Sequence, residues 1–345
     1  MRTGFGILFT FFWIVSYAQK SDFSHINFQK ADSISRTCSS MSLKNMPLLV
    51  HQLTNDLDTQ VEKFRAIHTW VCLNIESDHY FSEITLKKRK QLQANRLALH
   101  KWNAKAQAKV FKRLVRSKKT ICTGYAYVLK TLANLVDIEC EIVDGYARTT
   151  TANINIVGVP NHSWNVVKLN NKWYLADTTQ ASGYYNLDEN QFVKDYNEGY
   201  FLARPQLFVK NHYPIEQNWL LLDESISIKA YVKAPIIYGE TYKYGIIPQT
   251  PELLVTEVLV GDTLEFLFEV EDETLIKDIN LVITGGFGYR KLQPQNTSYS
   301  NGQLALTYLF NRKGHFDVHA KIGEDIVASY TLKVSKASNW KTEDM

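Results

Sequence analysis

Apolar residues recur at helical spacing in the first half of the chain. In DLDTQVEKFRAIHTWVCLNI, residues 56–75, one face collects Val61, Phe64, Ile67 or His68, Val71 and Ile75. This pattern predicts an amphipathic helix, and Thr59 with Glu62 has the spacing of a capping box at its start. From Thr123 the same spacing returns in Ala126, Leu129, Ala133 and Val136. Cys122 is therefore expected at or just inside a helix N-terminus.

The pattern then changes to short strands. Three are predicted, in ECEIVDGYA, HSWNVVKL and KWYLADT. The last two flank Asn170-Asn171, a pair that tolerates the positive φ of a type I′ hairpin turn. A turn centred on these two residues places Asp177 opposite Trp164 and makes it a diagonal neighbour of His162. An odd loop length would reverse this parity and separate the two side chains.

From about Ser225 the chain alternates between short apolar runs and turns rich in Gly, Asn and Asp. The runs are SISIKAYV, LEFLFEV, INLVITGG, LALTYLF and DVHAKI. Several short strands at this spacing predict a β-sandwich. The preceding segment RPQLFVKNHYPIEQNWLLL, residues 204–222, is predicted to be a seam that packs against the first domain.

The length and the N-terminal residues of the chain indicate how many domains it has and where the protein is located. With 345 residues and 45% hydrophobic content, the chain has room for about two domains. It begins with Arg2, an apolar run to Val15 and the small-x-small sequence Ser16-Tyr17-Ala18. This predicts a cleaved signal peptide and a secreted or periplasmic protein. The alternative is a membrane anchor, but the run is shorter than the roughly 20 residues of a span. We expect no membrane span after cleavage.

Charge is unevenly distributed along the chain. The formal charge is +4, yet residues 87–119 hold thirteen Lys or Arg and no acidic residue. This segment also predicts a helix over 86–118, with an apolar side made of Leu97, Trp102, Ala106, Val110 and Leu114. It is a candidate site for an anionic polymer, an acidic substrate or a lipid surface. The alternative is a solvated helix face, and no nucleic-acid motif accompanies the basic run.

The four cysteines are too few for a disulfide scaffold. They are Cys38, Cys72, Cys122 and Cys140. If one is a working thiol, at most one bridge forms and one cysteine is left over. Spacing alone leaves the pair open.

Cys122, His162 and Asp177 have the chemistry of a nucleophile, a base and an orienting acid. The free N–H groups of a helix N-terminus stabilise a thiolate. An imidazole within hydrogen-bond reach takes the thiol proton and later delivers it to the leaving group. A carboxylate on the other ring nitrogen holds the imidazole in one tautomer. The alternative for Cys122 is a thiol packed in the core ahead of an apolar helix.

Several segments resemble the transglutaminase-like, papain-like cysteine superfamily, in particular its secreted bacterial members with a C-terminal β-sandwich. They are ICTGYAYVLKTL, VDGYAR, NHSWNVVKLNNKWYLADTT and GYFLARPQLFVKNHYP. The resemblance covers roughly residues 50–220, with 40 residues from Cys122 to His162 and 15 from there to Asp177. It implies these three residues as the catalytic triad. Ser163, where the family usually has Ala, and Gln180, where Trp is common, depart from the pattern.

The resemblance also implies an α+β fold. A nucleophile helix would pack on an antiparallel sheet in a papain-like transglutaminase core, followed by an all-β immunoglobulin-like sandwich. The predicted organisation is a signal peptide in 1–18, a transglutaminase-like domain in 19–222, the sandwich in 223–337 and a polar tail in 338–345. Tyr125, Trp164 and Asn165 are candidate substrate-binding residues. Each has an alternative role in packing or in support of the His162 strand.

The expected reaction is acyl transfer at amide bonds of a peptide or protein substrate. If water accepts the acyl group, the protein is a peptidase or amidase, and if an amine accepts it, the protein is a crosslinking transglutaminase. We favour hydrolysis because nothing in the sequence specifies a pocket for an amine. A second hypothesis is a catalytically silent module that binds a peptide or cell-wall polymer. A third is a structural exported protein whose sandwich does the binding. We predict no cofactor, no metal site and no calcium dependence, since no acidic loop of the required pattern is evident.

Overall fold

The computed structural model describes residues 19–270, 272–284 and 288–336. The predicted signal peptide and the predicted polar tail lie outside these residues. Within the described ranges, no helix combines the length and the apolar character that crossing a bilayer requires.

Polar side chains cap several of the N-terminal helices. The predicted capping box is present, because Thr59 Oγ1 accepts from the Glu62 N–H while the Glu62 carboxylate accepts from the Thr59 N–H. The predicted helix that begins with Cys122 is also confirmed. The elements are α1 (Gln29–Thr37), α2 (Met46–Thr54), α3 (Gln60–Asn74), β1 (Glu76–Ser77), α4 (His79–Leu92), α5 (Arg96–Ser117), β2 (Lys119–Thr120) and α6 (Cys122–Asn134).

The basic segment forms two helices where the sequence predicts one. The chain turns between α4 and α5, and the Asn95 side chain caps α5 by accepting from the Ala98 N–H. The two helices contact each other as a helical pair, which we call the basic hairpin (residues 79–117). Ala106, Val110 and Leu114 are buried, as predicted. Leu97 is 65% exposed, so its assignment to the apolar side is wrong.

A central antiparallel sheet follows in the order β8–β5–β4–β3–β9. The predicted turn is confirmed, since Asn170 and Asn171 have φ of 49° and 63° and Asn165 pairs with Ala176. The strands and helices of this part are β3 (Cys140–Ala147), β4 (His162–Leu169), β5 (Lys172–Ala176), α7 (Thr178–Ala181), β6 (Gly183–Asn186), β7 (Gln191–Lys194), β8 (Phe201–Ala203), α8 (Pro205–Phe208) and β9 (His212–Pro214).

Both faces of this sheet are buried, against different partners. Successive strand residues point to opposite faces. Val167 and Tyr174 therefore pack with the helices. Val166 and Leu175 belong to a second core cluster that continues into the C-terminal part of the chain. His162 starts β4 on the same face as Val166, which puts it between the sheet and the second cluster.

The C-terminal part contains two further sheets. One has the order β10–β19–β18–β14–β15 with β12 beside β19, and the other has the order β11–β13–β17–β16. Phe266 of one sheet contacts Tyr330 of the other edge-on at 5.2 Å. The elements are α9 (Ile228–Tyr231), β10 (Ile236–Ile237), α10 (Gly239–Tyr244), β11 (Ile246–Thr250), β12 (Val255–Leu259), β13 (Thr263–Val270), β14 (Ile279–Thr284), β15 (Arg290–Lys291), β16 (Asn296–Ser300), β17 (Gln303–Leu309), β18 (Gly314–Ile322) and β19 (Asp325–Ser335). The chain is therefore α+β.

One predicted strand is a helix. The run SISIKAYV contains α9, which Ser227 caps by accepting from the Ala230 N–H. Tyr231 at its end is buried and donates its hydroxyl to the carbonyl oxygens of Tyr146 and Asn211. Over so short a run, the alternating pattern fits a strand or a helix. The two long-range hydrogen bonds of Tyr231 stabilise the helix.

Candidate active site

Cys122 is the first residue of α6. Ile121 before it is extended and its side chain cannot cap the helix. No cap side chain therefore competes for the first N–H groups of α6, which lie at the end of the helix where Cys122 is. Gly124 allows α6 to approach β2 closely, because a Cβ at this position would overlap with the Thr120 hydroxyl. Cys122 is partly exposed, whereas Cys38, Cys72 and Cys140 are buried, and all four are free thiols.

His162 and Asp177 meet because of the hairpin register. His162 Nε2 lies 2.7 Å from Asp177 Oδ2, and the carboxylate is fully buried. The other oxygen, Oδ1, accepts from the backbone N–H groups of Thr179 at 2.8 Å and Gln180 at 3.1 Å. Asp177 is thus the N-cap of α7, and this fixes the direction of its remaining oxygen toward the imidazole.

The three side chains shift one another's pKa values. Burial alone would raise the pKa of Asp177, but the charge and hydrogen bond of His162 hold it well below its usual range. Burial alone would lower the pKa of His162, but the charge and hydrogen bond of Asp177 raise it to about 10. The imidazole is therefore charged at neutral pH in this arrangement.

Cys122 interacts with this charged imidazole. Burial would raise the pKa of the thiol, yet a hydrogen bond with His162 and its charge lower it below its usual value. The charge of Arg89 and a hydrogen bond from the Ser163 backbone N–H act in the same direction. Since Nε2 of His162 is held by Asp177, Nδ1 is the ring nitrogen left for the thiol. The arrangement favours a thiolate–imidazolium pair at a helix N-terminus.

His212 is a member of this cluster that the sequence reasoning missed. Its Nε2 lies 3.0 Å from Asp177 Oδ2, the same oxygen that accepts from His162. Phe208 stacks on its ring with 3.9 Å between centroids, and burial lowers its pKa to about 4. His212 is therefore neutral, and its other ring nitrogen, Nδ1, lies 2.7 Å from Asn211 Oδ1. Its position depends on the pairing of β9 with β3, which no local spacing reveals.

His162, His212 and Asp177 are also residue types that bind metals, and their ligand atoms lie within 4.8 Å of one another. Their contacts, however, have hydrogen-bond lengths of 2.7 Å and 3.0 Å to one oxygen. A metal at about 2.1 Å from each ligand would have to replace these bonds. The donor set is satisfied as a hydrogen-bonded His–Asp–His cluster.

The three predicted substrate-binding residues are buried. Tyr125 donates its hydroxyl to the Ile75 carbonyl oxygen, and Asn165 donates its amide to the carbonyl oxygens of Ala126 and Glu141. The indole of Trp164 stacks beside His162 with 6.0 Å between centroids. Of the alternatives left open by the sequence, these positions favour packing and support of the His162 strand.

A family model described as the transglutaminase-like superfamily matches residues 48–178, a range that contains Cys122, His162 and Asp177. Residues 48–178 are therefore a transglutaminase-like region. The match ends within α7, so the transglutaminase-like region includes the helix of Cys122 and the hairpin that carries the other two residues.

Three curated proteins are similar to this chain over more than half of its length. Human kyphoscoliosis peptidase is 30% identical over 217 residues, which are 62% of this chain and 30% of that protein. The mouse protein of the same name is 28% identical over 239 residues, 68% of this chain and 32% of its own length. Hillarin of Drosophila melanogaster is 20% identical over 235 residues, 64% of this chain and 26% of its own length. The chain thus spans less than a third of the length of these relatives.

Replacing His212 tests whether it positions Asp177. We expect His212→Phe to keep the stacking on Phe208 but to shift the pH profile of Cys122 alkylation to higher pH, with about a tenfold lower rate at pH 6. The reason is that Asp177 loses a donor that orients Oδ2. His212→Gln, whose amide can donate from a similar place, should restore most of the rate. A His212→Phe profile that overlays the wild-type curve would show that His212 has only a packing role.

Proposed function

We propose that the protein catalyses thiol-dependent acyl transfer at amide bonds of peptides or proteins. Cys122 is the nucleophile, His162 the general acid and base, and Asp177 the group that orients His162. One observation supports this above all others: the partly exposed thiol at the start of α6 has its pKa lowered by the His162 imidazole, and Nε2 of that imidazole lies 2.7 Å from a buried carboxylate.

The reaction follows from these positions. The Cys122 thiolate attacks the amide carbonyl carbon, and the N–H groups at the start of α6 stabilise the oxyanion. The His162 imidazolium gives its proton to the amide nitrogen, the C–N bond breaks, the amine leaves and a thioester remains. Neutral His162 then takes a proton from water as it attacks the thioester. The carboxylic acid is released and the thiol is regenerated through the same imidazole.

Hydrolysis is the preferred outcome over crosslinking. Water reaches a thioester without a dedicated site, whereas an amine acceptor requires one. The human and mouse relatives carry the name peptidase, which favours the same direction. A catalytically silent module with the same fold is the alternative that the following experiment separates.

The pH dependence of Cys122 alkylation by iodoacetamide, followed by peptide mass spectrometry, tests the proposal. Only the thiolate reacts, so the rate falls as the pH drops through the pKa of Cys122, which lies below its usual value. We expect fast alkylation at pH 6. In His162→Ala the cation is lost and burial raises the pKa of the thiol, so the rate at pH 6 should fall about 100-fold.

The controls are within the chain. Cys38, Cys72 and Cys140 are buried and should react slowly, and Cys122→Ala should remove the labelled peptide altogether. Slow alkylation at pH 6 in both wild type and His162→Ala, with the profile of an ordinary thiol, would contradict the proposed catalytic function. It would leave the silent binding module as the better description.

We further propose the organisation that the sequence predicts outside the site. Residues 1–18 are a cleaved signal for export to the periplasm or the exterior, as in secreted bacterial members, and residues 19–222 are the transglutaminase-like domain. The two sheets of the C-terminal part support an immunoglobulin-like sandwich over 223–337. N-terminal sequencing of the exported protein checks the signal, and a mature chain that still begins at Met1 would contradict it.

A further inference from the structure

Two cavities open beside the Cys122–His162 pair under the basic hairpin. The first, about 520 Å³, reaches Thr123 and Gly124, the residues directly after the nucleophile. The second, about 420 Å³, is lined by His162 itself. One cavity therefore borders the residues after Cys122 and the other borders the imidazole. A substrate chain that passes Cys122 would occupy both.

The two cavities share one wall. Arg89 of α4, Asn103 of α5 and Asp144 of β3 line both of them. Arg89 is half-buried and has no ion-pair or hydrogen-bond partner among the described residues. It is close enough for its charge to act on the Cys122 thiol. The positive group of the shared wall is therefore available to a ligand.

Polar atoms in the first cavity also lack partners. Within the described part of the chain, Asn103 Oδ1 and Thr123 Oγ1 are buried without a hydrogen bond. Such atoms normally find a partner, so both are free to bond to a ligand that enters. The Asp144 carboxylate is engaged on one oxygen by the Ser163 hydroxyl at 2.6 Å, and its other oxygen can accept a peptide N–H.

The rest of the first cavity is apolar and aromatic. Its walls include Trp102, Phe111, Leu114, Tyr127 and Ile142. Phe111 and Tyr127 meet edge-on at 5.3 Å, which joins α5 to α6 across the cavity. This is a lining suited to a large apolar side chain.

The outer surface of the basic hairpin adds a long-range attraction. Between residues 87 and 119 every charged side chain is positive. Arg113 and Lys119 are neutralised locally by Asp78 and Glu76. Exposed lysines such as Lys88 form no ion pair within the described residues, so the approach to the cleft is positive.

We propose that the two cavities form one substrate cleft for an acidic peptide segment, in which a carboxylate side chain pairs with Arg89 and a neighbouring large apolar side chain fills the first cavity. The assignment rests on the proposed reaction at Cys122, because it places the acidic residue next to the amide bond that reacts. Asn103 and Thr123 bond to the backbone of the bound segment.

Two alkylating agents that differ in charge test Arg89 without knowledge of the substrate. Iodoacetate carries a carboxylate and iodoacetamide does not, so the ratio of their rates at Cys122 reports the charge of the cleft. We expect Arg89→Gln to lower this ratio about fivefold at low salt, which is the upper range for a partly exposed ion pair. Lys88→Gln is the matched control, because it removes the same charge from an exposed position of α4 outside both cavities, and its ratio should not change.

The outcomes separate the cleft from the reaction. An unchanged ratio in Arg89→Gln overturns the cleft, whether or not iodoacetamide reacts rapidly. An equal drop in Lys88→Gln also overturns it, because the attraction would then belong to the whole basic surface and fit an anionic polymer. Slow reaction of the wild type with iodoacetamide would contradict the proposed thiolate at Cys122 but not the cleft. The ratio of the two rates can still be measured for an ordinary thiol.

Peptide probes test the pairing of the two side chains. Chloroacetyl-Asp-Phe-amide should alkylate Cys122 faster than chloroacetyl-Asn-Phe-amide in wild type, and at the same rate in Arg89→Gln. Replacing Phe by Ala in the probe should slow the reaction in both proteins. Equal rates for the Asp and Asn probes in wild type would refute the acidic preference.

Discussion

The variant Asp177→Asn is expected to convert Cys122 into an ordinary thiol while the protein remains folded. An asparagine can still cap α7 through Oδ1, but its amide nitrogen then faces His162 and His212, which both donate to Asp177 Oδ2 in the wild type. The imidazole loses the carboxylate that raises its pKa to about 10, and without an imidazolium the thiolate is not stabilised. By analogy with the orienting aspartate of a serine protease, turnover should fall by about 10⁴-fold.

The measurement is the pH profile of iodoacetamide alkylation, with turnover added once a substrate is in hand. The profile should move to higher pH, toward that of a thiol with a pKa of about 8.5. Asp22→Asn is the control, because Asp22 also accepts bonds from two side chains, Lys172 and Tyr174, but contacts none of the three site residues. A profile for Asp177→Asn that matches the wild type would remove Asp177 from the mechanism.

Acid unfolding gives an independent view of the same carboxylate. The pKa of Asp177 is lowered in the folded state, so its contribution to stability is present above the unfolded pKa of about 3.9 and is lost as the pH falls below it. The unfolding free energy of Asp177→Asn should therefore depend less on pH below about 4 than that of the wild type.

The second large effect is expected from Gly145→Ala. Gly145 lies in the middle of three strands, paired with His162 on one side and Pro214 on the other. An added Cβ would overlap with the Tyr213 carbonyl oxygen and lie 2.5 Å from the Trp164 ring. Either β9 or the indole must move, and overpacking of this kind costs about 3 kcal/mol of unfolding free energy.

Urea unfolding measures the loss of stability, and Cys122 alkylation measures its effect on the site. Because β9 carries His212, a displacement of β9 should also slow alkylation at pH 6. Gly239→Ala is the matched control, since nothing lies closer than 3.5 Å to a Cβ there, and its effect should stay within about 0.5 kcal/mol. Equal stability of Gly145→Ala and wild type would mean that the sheet accommodates the methyl group.

Features that depend on near neighbours in the sequence were predictable. The helix at Cys122 follows from apolar spacing, and the meeting of His162 with Asp177 follows from an Asn-Asn turn and the strict alternation of strand residues. In both cases a few adjacent residues specify the geometry, whereas the combination of Cys122 with His162 was implied only by the family resemblance.

Other features exist only because distant segments meet. His212 reaches Asp177 through the pairing of β9 with β3, the run SISIKAYV becomes helical when Tyr231 bonds to two distant carbonyl oxygens, and Tyr125 is enclosed by elements 50 residues away. The basic hairpin likewise places Arg89, which the sequence shows only as one charge in a run, in the wall that two cavities share. Local pattern was enough to single out Cys122, His162 and Asp177 as the candidate nucleophile, base and acid. Tertiary packing decided what surrounds them, because burial and strand pairing depend on contacts that no short stretch of sequence encodes.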